Sequence, residues 1–206
     1  MNRGEIFRKI RDFSQKKMAK VDIPAHDFKH VTRVRNWAIK IGKAEKQDLF
    51  LIETAAWLHD VGRAEVGDKQ DHGKVSAKIS EKFLKNFPEI TTKDRKLIVE
   101  AIREHSDRWS SSWLGHTLQD ADKLDGLGAI GLMRGMMSKY HLQDYNAQRP
   151  FYRQKPTRTI IDHLYYLLEW EKMFYSRPAK KLAKPRLKVI KDFLKELKHE
   201  INETRS

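Results

Sequence analysis

His59 and Asp60 stand side by side in the run ETAAWLHDVGR. Leu51, Ala55 and Leu58, with Ile52 and Ala56 on an adjoining row, give this run the apolar spacing of a buried helix. Gly62 follows in the pattern of a C-cap. An imidazole and a carboxylate at the end of a buried helix need partners, because burying a charge alone is costly. A divalent metal ion is one partner that satisfies both. His30, in HDFKHVTRVRNWA, sits at or beside the apolar stripe of Val31, Val34 and Ala38, near the start of its helix. A third acidic signal is QDADKLD, residues 119–125, followed by GLGAIG. Asp122 and Asp125 are three apart and share a helix face, whereas Asp120 points elsewhere.

The elements that must position these groups are helical nearly everywhere. Ile6, Ile10 and Phe13 recur at helix spacing, as do Val31, Val34, Trp37, Ala38 and Ile41. Further helices are expected at about 71–87, 91–105, 116–131, 158–174 and 179–203. Asp27 is a plausible N-cap, as is Thr91 or Thr92 just after Pro88. No sustained period-two alternation and no Asn-Gly or Asp-Gly turn signals a hairpin. Loops are expected at 106–115, serine-rich with Trp109 and Trp113, and at about 139–157, with four aromatics that could stack on a nucleobase. The expected fold is all-α, a single domain over 1–206, with the site core at about 20–135 and C-terminal helices at about 158–203.

The 206 residues suffice for one well-packed core. Cysteine is absent, which excludes disulfides, zinc ribbons and thiol nucleophiles. The opening MNRGEIFRKIRDFSQKKM is charged throughout and is not read as a signal peptide. No apolar run approaches the roughly 18 residues of a membrane span, so a soluble cytoplasmic protein is expected. The net charge of +14 favours polyanionic partners. The lysines from Lys180 onward, KKLAKPRLKVIKDFLKELKHE, read either as a solvated helix face or as a surface for a phosphate-rich partner.

Taken together, HVTRV, LHDVGR and DADKLD resemble the HD-domain superfamily of metal-dependent phosphohydrolases, whose signature is a His, a His-Asp pair and a distant Asp. AHDFKHVTRV, AAWLHDVGR and QDADKLDGLGAIG resemble its small stand-alone bacterial and archaeal branch, which includes nucleoside-triphosphate pyrophosphohydrolase-like members. The resemblance implies His30, His59, Asp60 and Asp122 as metal ligands, with Asp120 as the substitute for Asp122. The branch also carries a late His-Phe-Tyr-Glu-Lys-Leu run. Here it reads His163-Leu164-Tyr165-Tyr166-Leu167-Leu168, with Tyr166 and Leu167 in place of the Glu-Lys pair, which implies a different substrate if those charges touch it.

In binuclear members, histidines placed like His72 and His105 help to hold a second metal. In one-metal members such positions implicate phosphate contact or proton transfer. One ion per chain is preferred here to two, with manganese, magnesium, iron, cobalt or nickel suiting two histidines and two carboxylates better than calcium. Candidates to assist deprotonation of a metal-bound water are Asp60, His105, Glu65 and Asp68. Some superfamily members carry a catalytic Glu where this chain has Arg63. Arg63 cannot act as a base at neutral pH and suits a phosphate clamp. Lys123 and Arg134 are further phosphate candidates, and His72 a substrate contact. His26 is expected to be a structural residue, with capping or orienting of its neighbours as the alternative, and His116, His141 and His199 to lie on the surface.

The expected function is hydrolysis of a nucleotide or other small phosphorylated substrate, by a monomer or homodimer. Two alternatives stand beside it. One is a binuclear phosphodiesterase or di-iron oxygenase on the same scaffold; the other is a basic nucleic-acid-binding module without turnover.

Overall fold

The computed structural model describes residues 1–67 and 71–204. Their regular structure is all helical, and Gln143 and Thr159 form an isolated parallel bridge. The chain divides into two compact units, Met1–Asp122 and Lys123–Ser206.

The first unit contains α1 (Arg3–Met18), α2 (Phe28–Ala44), α3 (Leu49–Leu58), the short α4 (Arg63–Val66), α5 (His72–Leu84), α6 (Thr92–Glu104) and most of α7 (Trp113–Asp125). Helix α3 is at its centre. Leu51, Ile52 and every residue from Thr54 to Leu58 are buried, as expected of a helix apolar on all sides. It packs against α1, α2 and α6, while α5 and α6 pack as a pair. Asp48 caps α3 by accepting from the Phe50 and Leu51 N–H groups. Asp27 caps α2, and its acceptor bond from the His30 N–H (3.0 Å) fixes the backbone that carries that histidine.

Two expectations need correction. Gly62 does not close α3 as a left-handed C-cap. The helix ends at Leu58, and Gly62 has φ −74, an ordinary right-handed value. Its glycine is required by close approach: a Cβ there would lie 2.5 Å from the Ser76 backbone nitrogen and 2.8 Å from the His72 carbonyl oxygen. The helix expected at 116–131 is in fact α7 followed by α8 (Gly128–Ser138), broken at Gly126-Leu127. Gly128 takes φ +73, and a Cβ on Gly131 would fall 2.2 Å from the Gly126 carbonyl oxygen, so the glycine run makes a sharp corner.

The second unit contains α8, α9 (Ile160–Glu169), a 3₁₀ turn (Trp170–Met173) and α10 (Arg177–Glu203), which pack on one another. The stretch expected as a loop at 139–157 is non-helical. Asp162 anchors its far end. Its carboxylate accepts from the backbone N–H groups of Gln154 (2.7 Å), Arg158 (3.0 Å) and Thr159 (3.0 Å) and completes a capping box with Thr159. None of the described helices is long and apolar enough to cross a membrane.

Candidate metal centre

Within the first unit, helix ends deliver one candidate side chain after another to a common point. His30 lies in the first turn of α2, His59 and Asp60 follow the last turn of α3, and Arg63 opens α4. His72 opens α5, His105 caps the C-terminus of α6, and Asp122 lies in the last turn of α7. Local sequence explains the placement. The apolar stripe of each helix sinks its body into the core, and the polar residue at the tip is carried inward with it.

Asp60 is the hub, with 1% of its residue surface exposed. Its Oδ2 lies 2.8 Å from Arg63 Nε, 3.6 Å from His30 Nε2, 3.7 Å from His59 Nε2 and 3.9 Å from His26 Nδ1. Its Oδ1 lies 3.4 Å from His72 Nε2 and 3.5 Å from His105 Nε2. Asp122 Oδ1 is 3.4 Å from His30 Nε2. Three sets offer donor atoms within 4.8 Å of one another: His26, His30 and Asp60; His30, His59 and Asp122; and His59, Asp60 and His105. His59 Nε2 is buried without a hydrogen bond, and the Asp60 oxygens are held only by the ion-pair contacts above. Buried polar atoms rarely stay unsatisfied without a reason, and an ion is one.

Backbone carbonyls set the histidine tautomers. A carbonyl oxygen only accepts, so His59 Nδ1 carries the proton that it gives to Ala56 O (2.8 Å). Its Nε2 lone pair is thereby left facing the cluster. His105 Nδ1 likewise donates to Ile102 O (2.6 Å). Arg63 Nη2, which also only donates, lies 3.1 Å from His72 Nε2, making that nitrogen an acceptor. The 3.1 Å contact between His72 Nε2 and His105 Nε2 then needs a proton on His105.

The titration directions agree with this assignment. Burial lowers His72 to about 3 and His59 to about 4, keeping both neutral. Burial also opposes charge on His105, but the Asp60 carboxylate, with help from Asp122, outweighs it and raises the pKa. For Asp60 burial acts upward, and the Arg63 guanidinium followed by the His59 ring holds the carboxyl well below the usual range. Asp122 is lowered too, burial being overcome by His30 first and His59 next. A third of its side chain remains exposed, so solvent tempers that effect.

Asp120 is buried but lies in none of the three donor sets found among the described residues, whereas Asp122 does. Glu65 is at the surface in an ion pair with Lys17 (2.9 Å) and belongs to none of those sets. Asp68 lies outside the described residues. Lys123 is buried. Arg134, in the second unit, is bound to Asp125 through the carboxylate (2.9 Å) and the carbonyl oxygen (3.2 Å). His26 joins the cluster more directly than a capping role implies. Its signal was available in AHDFKH, where Asp27 caps the helix and turns the preceding residue toward His30, the two rings meeting edge to face at 5.7 Å.

The HD domain family model matches residues 27–127, a span that holds His30, His59, Asp60 and Asp122. YpgQ of Bacillus subtilis is 30% identical over 189 residues, covering 85% of this chain and 84% of YpgQ. The chain belongs to the HD-domain family. Its fold is shared by the crystal structure of B. subtilis YpgQ in complex with ADP, with a TM-score of 0.77 and 26% identity over 97% of each chain. A solved HD-superfamily hydrolase from Bacillus thuringiensis matches with a TM-score of 0.76 and 26% identity, over 98% of this chain and 99% of its own. The histidine-aspartate cluster of this HD-domain chain has the donor chemistry to hold a divalent ion, and the B. thuringiensis neighbour is an HD-superfamily hydrolase.

Proposed function

We propose that this chain is a divalent-metal-dependent phosphohydrolase acting on a nucleotide, with His30, His59, Asp60 and Asp122 as the ligands. The observation that carries the reading is the convergence of donor atoms on one point, among them the buried His59 Nε2 that lacks a hydrogen bond. Imidazole nitrogen and carboxylate oxygen suit manganese, iron, cobalt, nickel or magnesium. The ADP in the YpgQ crystal supports a nucleotide as the substrate class.

When bound, a divalent cation supplies charge for the phosphoryl oxygens and lowers the pKa of a coordinated water. The chain's own residues do the rest. Asp60 accepts charge-assisted contacts from one side and orients the histidines around it. Arg63, a fixed cation against Asp60, is placed to bind a phosphate oxygen. His105 holds a proton at Nε2, shared with His72, and is suited to give it to a leaving oxygen.

A second reading would have two ions, with Asp60 Oδ2 grouped with His30 and His59 and its Oδ1 with His72 and His105 as the residues that would hold them. Arg63 argues against it. Its guanidinium already contacts both His72 and Asp60, and a second ion would face that charge.

The test is elemental analysis of protein purified without chelator, beside Asp60→Ala, with both assayed on a nucleotide panel with added manganese. The expected result is about one ion per chain, with metal and hydrolysis lost together in the variant. Two ions per chain would move the assignment to the binuclear reading. No metal and no turnover with metal supplied would overturn the proposal.

A further inference from the structure

The final helix sorts its residues into three faces. Ala183, Leu187, Ile190 and Leu194 are buried. Asp192, Glu196, Glu200 and Glu203 recur at intervals of four, four and three and form an exposed acidic face. Between these two runs a row of exposed lysines: Lys181, Lys184, Lys188, Lys191, Lys195 and Lys198, at intervals of three, four, three, four and three. Such alternation keeps all six within about 100° of the helix circumference. Arg177, exposed and four residues earlier, extends the same row. At about 1.5 Å per residue the row is roughly 32 Å long.

Few of these charges are spent inside the protein. Lys188 pairs with Asp192 (2.6 Å) and Lys191 with Glu171 (3.5 Å). Among the described residues, no carboxylate partner is found for Lys181, Lys184, Lys195 or Lys198. Segregating like charges on one face costs self-repulsion that an interspersed pattern would avoid, so the arrangement favours an external anion.

We propose that this face of α10 binds the phosphate backbone of duplex nucleic acid without regard to sequence. The length matches, and the row is a series of cations facing a denser series of anions. A duplex carries about one negative charge per 1.7 Å of axis, and the row spans about one helical turn of it. The residue type also matches. Lysine is a point charge on a flexible stem, which suits phosphates at variable positions and does not read base edges as bidentate arginine does. An anionic membrane fits less well, because interfacial helices insert an apolar face and the apolar face of α10 is buried in the protein.

The test uses a fluorescently labelled duplex of about 20 base pairs, titrated with the full chain between about 50 and 200 mM salt. The stripe variant combines Lys181→Gln, Lys184→Gln, Lys195→Gln and Lys198→Gln. A control of equal charge combines Lys40→Gln, Lys43→Gln, Lys78→Gln and Lys85→Gln, all exposed in the first unit. Each phosphate contact contributes about 0.9 to the slope of log K against log salt, so losing four lowers the slope by about 3–4. At about 50 mM salt the stripe variant is expected to bind at least 100-fold more weakly by that relation, with the control close to the parent. Unchanged thermal melting shows that both variants are folded. Equal losses in both variants, no binding by the parent, equal competition by polyglutamate, or preference for phosphatidylserine vesicles over the duplex would each overturn the proposal.

Discussion

Asp60 shows how one residue can organise a site from a position with almost no solvent. Its two oxygens divide the surrounding histidines into two groups, and Arg63 sits against one oxygen while reaching His72 with another nitrogen. The role proposed for Arg63 separates from that of the ligands in kinetics. In Arg63→Ala, KM for the nucleotide is expected to rise at least about tenfold, a loss of roughly 1.4 kcal/mol of binding, with bound metal unchanged by elemental analysis. Loss of metal with an unchanged KM would show instead that Arg63 only holds Asp60 in place. His59, Asp60 and His30 were legible in the sequence because each stands at the end of an amphipathic or buried run. The choice of Asp122 over Asp120 came from the Ala-Asp-Lys-Leu context of the resemblance, and the donor geometry supports it. The entry of His26 was less visible, because it precedes its helix and no periodicity governs it.

At the level of the elements, the turn from α3 to α5 is tight because Gly62 lies against α5. Gly62→Ala is expected to lower stability by about 1–3 kcal/mol through overpacking, read from urea denaturation, with Ser76 and the His72 backbone displaced. The Asp162 cap makes a pH-dependent prediction. Its carboxyl is lowered because three backbone N–H bonds outweigh burial. A group whose folded pKa is depressed adds stability above its unfolded pKa, about 3.9, and loses it as the pH falls through the folded value. Asp162→Asn, whose amide nitrogen cannot accept, should therefore cost about 1–2 kcal/mol at neutral pH. The gap between parent and variant should close as the medium is taken into that acid range, measured as urea midpoints at each pH. An unchanged gap would mean that the charge of Asp162 contributes nothing. Helix positions were mostly readable from apolar periodicity. The break between α7 and α8 was not, because the periodicity of DADKLDGLGAIG continues across it and only backbone approach reveals the corner.

For the molecule as a whole, a charge of +14 acts at a distance on any anionic substrate. For the proposed nucleotide hydrolysis, kcat/KM should fall steeply as salt rises from about 20 to 300 mM while kcat holds, since steering affects encounter and not chemistry. A salt-independent kcat/KM would remove the field from the account. The composition announced the charge but not its address, which required knowing which side of α10 is buried. The all-α class was legible because period 3.6 recurs along nearly the whole chain and period two does not.

The site is assembled from helix ends, and helix ends are where backbone amides open to solvent most readily. Its donors therefore sit on segments whose amide hydrogens should trade for deuterium faster than those at the helix centres. An ion drawing those ends together would slow that trade at residues 59–63, 72–74 and 105–107, leaving the centre of α3 as it was. Occupancy would thus be written into the exchange map of the polypeptide, where it can be read without a substrate and without turnover.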